Sequence, residues 1–501
     1  MLFTSSARRS SRVISVVLAF CALMVCACVQ AQEQEQDDLR RMFDQRSQQQ
    51  SVERERALLK DELDAERPTI TVDGRTYTVE HNVNDVGRAL YLSLQHRQWA
   101  AVQRFLDEYL TLPDRDPLLV HYAQGALART QGRYSEAERE YRALLALQPD
   151  FLPARLELAR VLFEDQQDRE AGQLFDAIAA SLDAGDPKTS GVRETVTTFQ
   201  TALANRREWN GSFALGPTWN DNLNRSSAGS TCLLYLSGNC FFTRTTPDAI
   251  ASTGYDYDAN LNKRWALRGH HGLYFRSLLF GQGYRDNSGY NELTSITQAG
   301  YSYRSGRHSV SLAPSFEYYA WGNKALYGAW GAHAEWSWTL SPTSLLKLEG
   351  DWKQMRYRIA NYADNYDGVV RSVYATYFRS LGARWTVFGG VDVVDSDSAQ
   401  AVYGYLQKGV RLGASLQWPA GFSSTLFASY RHRDYRGYSE LLGARREDDE
   451  QGYNFILKAT RWSVAGFTPL LTLRHNRVRS NVDWLYDYDK NVVSLKLERL
   501  L

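Results

Sequence analysis

From about Trp209 to the last residue, apolar and polar side chains alternate in stretches of roughly ten residues. Val310, Leu312, Phe316 and Tyr318 share one face against Ser309, Ser311, Ser315 and Glu317. Val410, Leu412, Ala414, Leu416 and Trp418 do so against Gly409, Arg411, Gly413, Ser415 and Gln417. Near the end, Val493, Leu495 and Leu497 oppose Ser494, Lys496 and Glu498. A period of two puts residues i, i+2 and i+4 on one side of a strand, so one face can meet lipid and the other a wet lumen. Fourteen strands are predicted, near 209–218, 253–264, 268–282, 291–303, 308–321, 327–340, 344–357, 368–379, 384–395, 402–417, 422–433, 449–461, 468–477 and 490–499. Short turns then fall at 304–307, 341–344, 379–382 and 418–421, and long polar loops at about 219–252, 358–367, 434–448 and 478–489. All the short turns lie at one end and all the long loops at the other, as a bacterial outer-membrane barrel requires.

Upstream, from about Val83 to Leu182, the period becomes helical and the pattern repeats. Gly125, Ala137 and Tyr141 recur 34 residues later as Ala159, Ala171 and Phe175, and a looser copy gives Val102 and Leu106. With Gly132 at a turn and Pro149 closing a helix, this spacing fits the tetratricopeptide repeat, a helix-turn-helix unit. Three units make a short solenoid with a concave groove. Tyr91, Tyr122, Arg129 and Arg160 are the candidates to line that groove, the alternative for each being a solvated helix face. Gly191 to Arg207 reads as a helical cap leading into the first strand. Between 69 and 79, alternation around Asp73-Gly74 predicts a β-hairpin.

At the N-terminus, Arg8, Arg9 and Arg12 precede an uncharged run from Val13 to Val29, a secretory signal peptide cleaved after Ala31 or, alternatively, before Cys28. Residues Gln32 to about Arg67 are rich in Gln, Glu, Asp and Arg, and are expected to be a solvated helix or a mobile lead segment. The resulting organisation is signal peptide 1–31, polar lead segment 32–68, hairpin and repeats 69–207, and barrel 208–501, in an α plus all-β membrane fold class. Cleavage after Ala31 leaves only Cys232 and Cys240, which in an oxidising compartment are expected to form a local disulfide within the longest outer loop. A formal net charge of +1 with 44% hydrophobic residues argues against disorder and against a nucleic-acid partner.

No catalytic motif is present: there is no His-Glu-x-x-His, no phosphate-cradling glycine loop followed by Lys-Ser/Thr, and no Gly-x-Ser-x-Gly. His270-His271 and His432-Arg433-Asp434 are adjacent in sequence, which is not active-site geometry. The acidic runs 392–397 and 447–450 read as solvated loops rather than calcium sites. No enzyme activity, metal or cofactor is expected.

Three segments carry a family likeness: PDFLPARLELARVLFEDQQDREAGQLF (149–175), WNGSFALGPTWNDNLN (209–224) and SNVDWLYDYDKNVVSLKLE (480–498). They resemble the surface lipoprotein assembly modulator (Slam) family, over nearly the whole mature chain from about Thr69 to Leu501. One departure is the ending Leu500-Leu501, where outer-membrane strands usually finish on an aromatic residue. The resemblance implies periplasmic repeats joined to a fourteen-stranded barrel in the outer membrane of a Gram-negative cell. It also implies transport of client proteins to the cell surface, the clients often being lipoproteins built on a lipocalin-like β-barrel. Capture by the repeats would then use Tyr91, Tyr122, Arg129 and Arg160. The partners expected are this client, periplasmic chaperones as helpers, and outer-membrane lipid, with the chain a monomer. A polysaccharide export porin and a plain diffusion porin are the alternatives on the sequence alone.

Overall fold

The computed structural model describes residues 36–56, 58–59, 79–183, 189–236 and 238–501. The signal peptide, with both its cleavage points, and nearly all of the hairpin expected at 69–79 lie outside the described residues. The first described element, α1, is a helix over 36–56.

Six helices follow as three antiparallel pairs: α2 (Val83–Gln95) with α3 (Trp99–Tyr109), α4 (Pro117–Thr130) with α5 (Tyr134–Leu147), and α6 (Leu152–Glu164) with α7 (Asp168–Ser181). Local chemistry sets their starts. The Asn82 carboxamide accepts from the Asp85 amide at 2.9 Å, and the Asp116 carboxylate accepts from the Leu118 amide at 2.9 Å, with Pro117 in the first helical turn. Ala137, Ala159 and Ala171 are fully buried where helices touch, and Tyr141 and Phe175 fill the space between them. At Gly125 an added Cβ would sit 2.9 Å from the Tyr141 ring, so the close approach requires glycine there. The cap is α8 (Ser190–Arg207), whose Phe199 stacks on Phe175 at 5.1 Å and meets Phe163 edge-on at 4.9 Å.

The barrel strands are β1 (Asn210–Asn220), β4 (Ser252–Ala266), β5 (His271–Gly283), β6 (Glu292–Arg304), β7 (His308–Trp321), β8 (Lys324–Ser341) and β9 (Ser344–Tyr357). They continue with β10 (Gly368–Leu381), β11 (Trp385–Ser396), β12 (Tyr405–Trp418), β13 (Phe422–Ser439), β14 (Ala444–Ala459), β15 (Phe467–Ser480) and β16 (Tyr488–Leu500). All pair antiparallel with their chain neighbours, and β1 closes on β16. The first outer loop carries its own hairpin, β2 (Ser230–Leu236) with β3 (Asn239–Thr245), and a disulfide joins Cys232 to Cys240 across it, Cα to Cα 5.8 Å.

The alternation sorts the side chains as expected. Leu312, Val410, Leu412, Leu495 and Leu497 are exposed outside, while Glu317, Arg411, Ser494, Lys496 and Glu498 are buried inside. Exposed aromatics form two belts. Tyr255 and Trp265, ten residues apart on the outer face of β4, are separated by ~25 Å along the membrane normal, given ~3.3 Å per residue and a tilt near 40°. That is the height of a barrel's apolar band.

The loop expected at 434–448 is mostly strand: β13 and β14 pair up to Ser439 with Ala444, with a register shift between Asp434 and Tyr438. Charges on both faces of this hairpin mask the period-two signal, because its walls stand in water on either side. Over its described residues 36–56 the lead segment is not a solvated or mobile helix either, since α1 lies inside the barrel.

Candidate functional site

The third repeat docks on the periplasmic rim. Asp168 at the start of α7 holds Arg206 of α8 at 2.6 Å and Arg264 at the end of β4 at 3.2 Å. Asp165 meets His270 Nε2 at 2.8 Å with one oxygen and accepts from the Gly306 amide at 2.9 Å with the other. Glu170 accepts from the Gly269 amide at 2.9 Å, and Arg307 donates to the Gln131 carbonyl at 3.1 Å. Both rim turns touched, 267–270 and 305–307, are short ones, so the solenoid itself marks the short-turn end as periplasmic. The hydrogen bond that His270 donates to the Asp165 carboxylate holds its imidazole above its ordinary pKa. His270 thus serves as a clamp between the two domains, a role that sequence adjacency to His271 did not disclose.

Of the four groove candidates, Tyr122 is partly buried against the repeat core. Its ring packs edge-on against Tyr141 at 5.8 Å and Phe151 at 6.3 Å, and burial together with the Glu157 carboxylate pushes its hydroxyl up to about 12, with Arg160, Arg129 and Tyr91 also within electrostatic reach. Tyr91 is 52% exposed and offers an open ring. The two arginines are engaged in ion pairs: Arg129 with Glu157 at 3.2 Å and Glu164 at 2.9 Å, and Arg160 with Glu157 at 3.0 Å.

Between the solenoid, the lower half of α1 and the rim is a vestibule of about 540 Å³, lined in part by Tyr134, Phe163, Arg206, Arg264, Phe275 and Arg304. It opens toward the lumen, where α1 runs ~31 Å at ~1.5 Å per residue, close to the hydrocarbon thickness of a membrane. Its start lies toward the outer end: the Tyr374 hydroxyl donates to Asp37 at 3.2 Å and the Tyr327 hydroxyl to Gln36 at 3.4 Å. Its last turn reaches the periplasmic mouth, where Glu55 pairs with Arg206 at 2.7 Å. Between these, Asp38 pairs with Arg431, Arg40 with Asp351 at 3.0 Å, Arg41 with Glu349 at 3.3 Å, and Arg46 with Glu498. Met42 and Phe43 pack on Leu278, Phe280, Ile296, Ile456 and Leu470, an apolar patch within an otherwise polar wall. Beside the outer end of α1, tyrosines 319, 327, 357, 362 and 366 pack into one cluster, two of them on a short loop helix, α9 (Ala360–Tyr366).

Lumen charges are organised as ladders rather than as a metal centre. Among the described residues, the one group of His and carboxylates close enough to hold a metal is His333, Glu335 and Glu349. It is already occupied by cations, with Lys347 bridging Glu335 at 3.3 Å and Glu349 at 3.2 Å and Arg276 on Glu335 at 3.4 Å. The acidic runs expected as loops are strand residues except Asp397, just past the end of β11, and are paired likewise. Asp392 is held by Arg411 at 3.0 Å and Arg431 at 3.3 Å, Asp395 and Asp397 by Arg371 and Arg436, and Asp448 by Arg446 at 2.6 Å.

The family described as Surface lipoprotein assembly modifier matches residues 209–500, and the description of its N-terminal TPR repeats matches residues 73–175. The "Hemophilin secretion modulator" of Acinetobacter baumannii is 43% identical over 442 residues, spanning 86% of this chain and 88% of that protein. "Surface lipoprotein assembly modifier 1" of Haemophilus influenzae is 27% identical, spanning 82% of this chain and 84% of that protein. Its namesake in Neisseria meningitidis serogroup B is 28% identical, spanning 84% and 83%.

Proposed function

The chain belongs to the surface lipoprotein assembly modifier family, and from that premise we propose how its parts share the movement of a client across the outer membrane. It is an outer-membrane translocon for surface lipoproteins, with its repeats in the periplasm; it is neither an enzyme nor a diffusion porin. In our reading the solenoid groove captures the client while it is unfolded, through the Tyr91 and Tyr122 rings, with Arg129 and Arg160 shaping the wall. The vestibule then delivers it to the barrel. The observation that supports this reading is the docking of the third repeat on the rim, which brings the repeats against the vestibule at the mouth of the barrel.

The client we infer is an exported protein of the kind for which the 43% identical relative is named, hemophilin, or a surface lipoprotein with a lipocalin-like β-barrel. Such a fold suits an ATP-free passage. A small barrel folding outside with ~5–15 kcal/mol of stability cannot return through the lumen it left, so folding itself makes export downhill. Periplasmic chaperones that keep the client unfolded would serve the same end.

The test is client display. This chain is co-expressed with a candidate client in a cell lacking both, and intact cells are probed with antibody and added protease. Display that depends on this chain, and that is lost when 83–182 is deleted although the barrel still inserts, supports the reading. Display that survives the deletion contradicts capture by the repeats.

A further inference from the structure

The lumen is filled by α1, yet its wall does not need α1. Each charged group that pairs with a charge of the helix has a second charged partner within the protein. Arg431, which holds Asp38, is also held by Asp392 at 3.3 Å. Asp351, which holds Arg40, is also held by His333 at 2.8 Å. Glu349, on Arg41, is held by Lys347 at 3.2 Å, and Glu498, on Arg46, by Lys458. At the mouth, Arg206 on Glu55 keeps Asp168 at 2.6 Å.

Breaking a buried ion pair is costly chiefly because it strands a charge. Here withdrawal of the helix strands no charge on the wall, and the helix's own charges return to water in the vestibule. The apolar contribution to holding it is small, resting on Met42 and Phe43 with Leu39 beside them. Yet with α1 in place nothing the size of a polypeptide can pass: the spaces beside it inside the barrel measure about 30 Å³ near Asp37 and about 90 Å³ near Arg46. Its C-terminal end is tied to the solenoid, since Leu59 is buried in the repeat core and Glu55 pairs with the cap helix.

We propose that residues 36–56 are a releasable plug: a helix that seals the lumen at rest, held by charges that the wall pairs redundantly, and that leaves the barrel when a client enters from the solenoid. The proposal rests on the translocon reading for its purpose but not for its structure. The helix enters with its N-terminal end outermost, so it occupies the track that an incoming client would follow.

Two experiments on the full-length protein decide it. The first is ion conductance of the purified protein in a planar bilayer, which involves no client. Wild type should be mostly closed. The variant Asp38→Ala/Arg40→Ala/Arg41→Ala/Arg46→Ala, whose wall keeps its internal pairs, should conduct at least tenfold more, with the barrel's heat-modifiable gel shift retained. Equal conductance with a retained shift overturns the seal.

The second locks the helix with Ser47→Cys and Asn262→Cys, whose parent side chains are hydrogen-bonded at 2.8 Å. Oxidised, the variant should lose at least tenfold in client display, and a reductant that leaves wild-type display unchanged should restore it. Full display by the oxidised, verified crosslink overturns release. If unlocked protein displays no client at all, the translocon reading fails, and the conductance result still decides the plug.

Discussion

Asp38 of α1 and Arg431 of β13 form a two-point ion pair inside the barrel, Nη1 to Oδ2 at 2.7 Å, while Asp392 holds the same guanidinium from the wall at 3.3 Å. The two ends of this pair are not equivalent. Removing Asp38 leaves Arg431 with Asp392, whereas removing Arg431 leaves Asp38 without its guanidinium and takes from Asp392 one of its two arginines. Arg431→Ala should therefore destabilise the folded protein by about 3 kcal/mol, and Asp38→Ala by about 1 kcal/mol or less. The temperature of the heat-modifiable shift should fall clearly for the first and little for the second.

Asp168 joins cap helix and barrel through Arg206 and Arg264. Asp168→Ala leaves Arg264 without a carboxylate, while Arg206 keeps Glu55, a loss of about 2 kcal/mol in docking. Barrel insertion should be unchanged, while limited proteolysis should release the solenoid faster and client display should drop. Unaltered proteolysis would show that Asp165 and Glu170 hold the joint on their own.

The Asp165–His270 contact makes docking pH-dependent. The folded-state pKa of His270 is raised, so its contribution is fully present below the ordinary histidine pKa near 6.5 and is lost as pH rises through the folded value. Crosslinking between solenoid and rim should accordingly weaken on going from mildly acidic to alkaline buffer. His270→Ala should flatten that part of the profile.

Two glycines of the solenoid make opposite forecasts. At Gly125, alanine would press on the Tyr141 ring, a fully buried side chain with no room to retreat, and should cost about 1–3 kcal/mol. At Gly191, in the first turn of α8, an added Cβ meets nothing within 4 Å, so Gly191→Ala should be neutral or stabilise by about 0.4–1 kcal/mol. Thermal melting followed by the helical circular-dichroism signal separates the two.

The barrel was legible because lipid and lumen ask opposite things of alternate residues, as Leu412 and Arg411 do side by side. The repeats were legible because helix contacts force small residues at fixed spacing, Ala137 and Ala171 among them. The plug was not. A helix in a wet, charged lumen has the same polar composition as one in solvent, and nothing local marks Arg40 or Arg46 as facing Asp351 or Glu498. For the same reason Arg129 looked available on register, whereas Glu157 and Glu164 engage it from a neighbouring helix; Arg160 is held by Glu157 one turn away on its own helix. Pairing between elements depends on how they pack, which the one-dimensional pattern does not carry.

The central claim is that a client travels inside this barrel. A photo-crosslinking residue placed at Gln298 or Asn454, both facing the lumen, and in parallel at Leu412, which faces lipid, tests it during active display of a client. Client adducts at Gln298 and Asn454 and none at Leu412 are the predicted result. Adducts confined to Leu412, or none at the lumen positions while the client still reaches the surface, would contradict it.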